Sequence, residues 1–258
     1  MYDTLAHLLG HHIDRDKALI MPESYCLERG VFGGLVMAVA ADAIKVKSNF
    51  PLRSLQLNLC ALAKPGEPTD VSVVHKRRGK YTESVQVELL QAGTVVAHGT
   101  GFCGQARPTQ ANELNQTAPN MPAPDTVIAV PDKGMLPPYT QHIEIKPCWG
   151  EQLFSNGKLE SGGWVSLRRS SPVIDEVIVS TLIDSLWPAN LIRGMRPMAT
   201  VSIQIAFLDM AQLPNDAPLA LTTQTQAISD GYATEIDQIW TKCGRLVASA
   251  QQVIAVIR

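Results

Sequence analysis

The sequence predicts an α+β fold made of one unit written twice, each copy a long antiparallel sheet around a single central helix. Three observations carry this reading. Alternating runs and turn signals recur in the same order in both halves, an apolar helical segment precedes each set of strands, and a proline-rich stretch separates the two sets.

In the first half the helix is VFGGLVMAVAADAIKV, from Val31. It is apolar nearly all round, which fits a helix enclosed by protein. From Leu52, LRSLQLNLCALAKPGEP alternates and ends at a Pro-Gly turn. DVSVVHKRRGK is a strand with a Gly turn, and YTESVQVELLQAGTVVAHGTGFCG is two strands joined at Ala92-Gly93. In the second half the helix is PVIDEVIVSTLIDSLWP, with Pro172 and Asp175 marking its start and Pro188 its end. ATVSIQIAFLDMAQLPN, PLALTTQTQAISDGYA and ATEIDQIWTKCGRLVASAQQVIAVIR then repeat the strand grammar, with turns at Asp230-Gly231 and Cys243-Gly244. LLQAGTVVA aligns with IWTKCGRLVA, placing Gly93 opposite Gly244 and Ala97 opposite Ala248. Within a few residues, the same register sets Ser54 opposite Thr200 and Gly79 opposite Gly231.

Seven of the 17 prolines fall between Gln105 and Gln141, where helical and strand periodicity are weak, so this stretch is expected to cross a surface rather than enter a core. The expected organisation is an N-terminal unit at 1–104, a linker at 105–142 and a C-terminal unit at 143–258.

Composition narrows the function. At 45% hydrophobic and 18% charged, with net charge −2, the chain resembles an ordinary soluble domain and offers no broad attraction to nucleic acid or anionic lipid. The longest apolar stretch is interrupted by Asp42 and is too short to span a bilayer, so membrane insertion is not expected. Cys26, Cys60, Cys103, Cys148 and Cys243 are odd in number, scattered and without CxxC spacing. That pattern, with no signal-like N-terminus, points to free thiols and a cytoplasmic setting. KRRGK at 76–80 reads as a solvated hairpin tip, with a phosphate contact as its functional alternative. His11-His12 lack HxxxH or HExxH spacing, so no metal is expected. GxSxG, Walker and GxGxxG motifs are absent.

Four places stand out chemically. On the last strand Leu246, Ala248, Ala250, Gln252, Ile254 and Val256 share one face, so Gln252 lies in a core-facing row. A buried amide without partners costs about 1–3 kcal/mol, so Gln252 is either a satisfied core amide or part of a site. Asp184 shares a helix face with Ser180 and Thr181, a stripe that either meets solvent or lines a cleft. Thr200 shares its strand face with Ser202 and Gln204, and alternation alone marks it as surface. Gly33 and Gly34 open an otherwise apolar helix, where missing side chains allow either close packing or the approach of a ligand to free N–H groups.

The run VFGGLVMA, followed in the second half by DSLWPA, ATVSIQIAFL and GRLVASAQQ, resembles the double-hotdog acyl-CoA thioesterases of the thioesterase II type, over nearly the whole chain. The resemblance implies hydrolysis of fatty acyl-CoA to free acid and CoA, without a cofactor. It assigns a water-holding trio to Asp184, Thr200 and Gln252, and oxyanion or substrate contacts to Gly33 and Gly34. It also implies that double-hotdog protomers pair further into a homo-oligomer. Val253 and Ile254 depart from the family, which often has an acidic residue and a glycine there. Two other readings stay open: a non-catalytic acyl-CoA-binding protein, and a hotdog hydratase or dehydratase. The lack of histidine in either predicted central helix counts against the second.

Overall fold

A computed structural model describes residues 3–108, 116–132, 136–194, 198–211, 213, 215 and 217–256. Parts of the proline-rich stretch, 109–115 and 133–135, lie outside the described residues. Three α-helices are present among them: α1 (Thr4–Leu9), α2 (Gly33–Lys47) and α3 (Glu176–Leu182). The first half supplies strands β1 (Leu19–Ile20), β2 (Leu52–Leu59), β3 (Pro68–Arg78), β4 (Thr82–Gln91) and β5 (Thr94–Gly104). The second supplies β6 (Ile143–Gly150), β7 (Glu160–Leu167), β8 (Met198–Phe207), β9 (Leu219–Ser229), β10 (Tyr232–Trp240) and β11 (Leu246–Val256).

All eleven strands form one antiparallel sheet, in the order β1-β3-β4-β5-β2-β8-β11-β10-β9-β7-β6. The two halves meet where β2 pairs with β8, at Leu55↔Ile205 and Leu57↔Ile203. The turns expected from sequence are in place. Ala92-Gly93 and Asp230-Gly231 all have positive φ, the backbone twist that suits a two-residue hairpin turn.

The inner face of the sheet holds the core. In β4 the buried residues alternate as Glu83, Val85, Val87, Leu89 and Gln91, and in β10 as Ala233, Glu235, Asp237 and Ile239. α2 lies against this face, buried from Gly34 to Asp42 along almost its whole circumference.

Helices α2 and α3 pack antiparallel. Lys45, in the last turn of α2, reaches Asp175 and Glu176 at the start of α3, at 2.7 and 2.5 Å. Gly33, in the first turn of α2, lies against Asp184 just past the end of α3. The second helix is shorter than its sequence suggests. Asp175 caps it as expected, accepting from the Val177 and Ile178 N–H groups. It stops at Leu182, because Ser185 bonds the Leu182 carbonyl through both its backbone N–H and its hydroxyl. Asp184 therefore sits in the turn after the helix, not within it.

The proline-rich stretch lies partly on the outer face of the sheet, where Trp164 Nε1 donates to the Pro122 carbonyl and Lys146 Nζ to that of Pro124. It does not stay on the surface. Tyr139, in the 3-10 turn Pro138–Gln141, is buried, stacks on Phe32 at 4.3 Å and donates to the Ser185 carbonyl at 3.0 Å. Among the described residues, no helix is long and apolar enough to cross a membrane.

Candidate active site

Gln252 is 5% exposed and faces the core, as its row on β11 requires. Every polar atom of its amide has a partner. Its Nε2 donates to Glu235 Oε1 at 3.2 Å and to Asp237 Oδ2 at 2.9 Å, and its Oε1 accepts from Thr200 Oγ1 at 2.8 Å.

Thr200 reaches this position through a β-bulge. Gln252 pairs with Ile203 and Val253 with Ser202, but Ile254 pairs with Thr200, so Val201 is an extra residue in β8. An extra residue reverses the alternation beyond it. Ser202 and Gln204 keep the outward side that alternation gives them. Thr200 turns instead to the face of buried Ile254, beside Gln252. The surface placement expected from alternation is thus corrected.

Asp184 arrives from the other layer. Its carboxylate accepts from the Gly34 N–H, and its Oδ2 lies 2.8 Å from where a Cβ on Gly33 would stand. A side chain on Gly34 would collide with the Phe32 ring at 2.4 Å and the Thr181 carbonyl at 2.6 Å. The two glycines thus let a carboxylate and a neighbouring turn approach the start of α2, where the helix dipole favours negative charge. Gly34, expected to meet an oxyanion, here meets Asp184. Ser180 and Thr181, its expected polar stripe, are fully buried and bond the carbonyls one turn back.

Burial pushes the Asp184 carboxyl up to about 7, with the charge of Glu235 adding to the rise and the Gly34 N–H opposing it. The structure joins Thr200 and Gln252 directly. Among the described residues Asp184 makes no hydrogen bond to either; what reaches it is the charge of Glu235, a partner of Gln252.

Sequence reasoning missed Glu235 and Asp237. They are 1% and 2% exposed, and among the described residues neither forms an ion pair. Glu235 Oε2 accepts from the Ala189 N–H at 2.7 Å and from Thr225 Oγ1 at 2.9 Å. Both carboxyls are raised by burial. Asp237, which has fewer donors, is raised well above the usual range, with the Glu235 charge as its second cause. A signal for Glu235 was available: folding the chain at the Cys243-Gly244 turn sets Glu235 directly opposite Gln252. Among the described residues no three His, Cys, Asp or Glu side chains are arranged to hold a metal ion.

The opposite end of the helix pair is chemically different. There Lys45 pairs with both Asp175 and Glu176, and Arg15 pairs with Asp42 at 2.7 Å. The basic hairpin tip at 76–80 is also at this end, since Glu83 beside it bonds Ser48 and Asn49 just past α2. A 15-residue helix spans about 20 Å, so the tip is far from Asp184.

Comparison with known proteins agrees with this layout. A family model for the acyl-CoA thioesterase N-terminal domain matches residues 21–104, and one for the C-terminal domain matches 115–256. No curated protein matches the sequence. Among solved structures, a hotdog-fold protein of unknown function from Alicyclobacillus acidocaldarius is similar at 20% identity and TM-score 0.88, covering 100% of this chain and 99% of that one. The TesB protein of Mycobacterium avium subsp. paratuberculosis is similar at 14% identity and TM-score 0.78, over 98% and 99% of the two chains. Acyl-CoA thioesterase II TesB2 of Mycobacterium marinum is similar at 18% identity and TM-score 0.73, over 91% and 96%. At these identities the likeness establishes the hotdog fold alone.

Proposed function

This chain belongs to the acyl-CoA thioesterase family, and on that premise we propose that it hydrolyses fatty acyl-CoA to free acid and CoA, using a water held by Asp184, Thr200 and Gln252. The observation that carries the proposal is the Thr200–Gln252 hydrogen bond, which puts a hydroxyl and an amide on the core face of two strands in the half that also holds Asp184. Asp184, with its carboxyl near 7, exchanges a proton readily at neutral pH, which is what a general base needs.

The water oxygen attacks the thioester carbonyl carbon while Asp184 takes one of its protons. Thr200 and Gln252 orient the water. The charge that develops on the carbonyl oxygen is met by the positive end of the α2 dipole at Gly33, beside the Gly34 N–H that holds Asp184. The C–S bond then breaks, and the thiolate of CoA leaves with the proton that Asp184 took up. No covalent enzyme intermediate, cofactor or metal takes part.

The sheet order supports a tandem reading, with hotdog units at 1–104 and 143–258 joined through 105–142. The strands run β3-β4-β5-β2 up to the junction and β8-β11-β10-β9 away from it. Each half also carries a one-residue bulge near the junction, at Arg53 and at Val201. Five free cysteines suit a reducing, cytoplasmic setting.

Release of free thiol from a panel of short- to long-chain acyl-CoAs tests the proposal. Turnover that is lost in Asp184→Asn supports it. Tight acyl-CoA binding without turnover by the parent protein would make it a binding protein instead.

A further inference from the structure

We propose that Glu235 and Asp237 are positioning residues of the hydrolytic site, holding the Gln252 amide in the one orientation that turns its oxygen to Thr200. This rests on the hydrolase reading above and extends it to two residues outside the water-holding trio.

An amide side chain can be rotated by half a turn with little change of shape, so its surroundings must choose which end points where. At Gln252 the choice falls to the carboxylates. Nε2 lies between Glu235 Oε1 and Asp237 Oδ2, at 3.2 and 2.9 Å. A flipped amide would set its oxygen against the carboxyl oxygens of Glu235 and Asp237, and whichever of the two is ionised would repel it. The Thr200 hydroxyl could serve either orientation, because it can donate or accept. The two acids therefore decide that Gln252 presents an acceptor to Thr200.

Glu235 also ties this arrangement to the loop that carries Asp184. Its Oε2 accepts from the N–H of Ala189, five residues beyond Asp184. One side chain thus bridges the Asp184 loop and the Gln252 strand.

The first half supplies a comparison within the same molecule. Counted from its bulge at Arg53, Leu52 stands where Thr200 stands, and Gly101 where Gln252 stands. Gly101 pairs with Val85, as Gln252 pairs with Glu235, and Val87 follows two residues on, as Asp237 does. Val85, Val87 and Leu52 are fully buried in apolar packing. The sheet architecture is thus satisfied by valines at these positions. Acids appear where Gln252 needs partners.

The groups that face Asp184 are the Gly34 N–H from α2, Tyr139 from the Pro138–Gln141 turn, and Glu235 and Asp237 from β10. Removing Glu235 takes away the like charge that adds to the rise of the Asp184 carboxyl. That carboxyl then ionises at lower pH, and the acid limb of the activity profile moves to lower pH.

The test is the Glu235→Val/Asp237→Val variant of the whole chain, which installs the pair that β4 already carries. Expected is a fall in kcat of roughly 10-fold or more with KM within about 3-fold, and an acid limb displaced by at least about 0.5 pH unit. The side-chain amide protons of Gln252, assigned by NMR through their loss in Gln252→Ala, should exchange with solvent at least about 10-fold faster than in the parent. If the double variant fails to fold, the single variants Glu235→Val and Asp237→Val are read the same way. A folded variant with parent kcat and an unmoved pH profile, or with parent amide exchange, overturns the proposal. If the parent itself hydrolyses no acyl-CoA, the hydrolase reading fails, and amide exchange alone decides whether the acids position Gln252.

Discussion

Thr200 Oγ1 donates to Gln252 Oε1 at 2.8 Å, across 52 positions of sequence and one strand pairing. If the two act together on one water, their effects will not add. Thr200→Val and Gln252→Ala should each lower kcat by roughly 10-fold, and the double variant by far less than 100-fold. Gln252→Ala also strips a donor from two buried carboxylates, so it should cost about 1–3 kcal/mol of stability in urea unfolding. Full additivity in kcat would separate the two residues.

Asp184→Asn keeps shape and removes the base. We expect kcat to fall by roughly 10²–10⁴-fold with the fold intact by circular dichroism. In the parent, kcat/KM should drop as pH falls through about 7, where Asp184 takes up its proton. That limb should vanish in the variant.

Stability should depend on pH with an unusual sign at this site. Asp184 has its folded carboxyl pushed from 3.8 to about 7. A carboxyl raised on folding binds more protons in the folded state. Its stabilising effect is full below its unfolded pKa and is lost as pH rises through the folded value. Relative to the parent, Asp184→Asn should therefore gain stability between about pH 4 and 7, by up to about 1.4 kcal/mol per unit of pH. A constant difference in unfolding free energy across that window would contradict the burial of a titrating carboxyl.

The two glycines of α2 should fail differently. Gly33→Ala places its Cβ against Asp184 Oδ2, a side-chain atom that can swing aside, so activity should fall while stability changes little. Gly34→Ala meets the Thr181 carbonyl and the Phe32 ring, which cannot yield cheaply, so it should cost about 2 kcal/mol or more in thermal or urea unfolding. Equal stability losses in the two variants would count against this geometry.

All five cysteines are free, with Cys60 and Cys243 exposed and Cys26 and Cys103 buried. A thiol reagent should label the exposed pair rapidly in the native protein and reach all five only on unfolding.

The sequence by itself determined β2–β5 and β8–β11, their turns, the enclosed first helix and the core-facing place of Gln252, because each is written in local periodicity and turn chemistry, whereas β1, β6 and β7 came only from the structure. It determined the start of the second helix at Asp175 but not its end, where Ser185 closes the Leu182 carbonyl. Tertiary structure decided how the site assembles. Thr200 faces Gln252 only because Val201 is an extra residue in the pairing of β8 with β11, and a bulge is a relation between two strands rather than a pattern within one. Asp184 meets the start of α2 because two helices about 140 residues apart pack antiparallel, the close approach that Gly33 and Gly34 permit. Glu235 and Asp237 stand two apart on one hairpin strand, with nothing in the local pattern to set them apart. They are partners of a buried amide because the sheet closes over them, and burial is a property of the assembled chain.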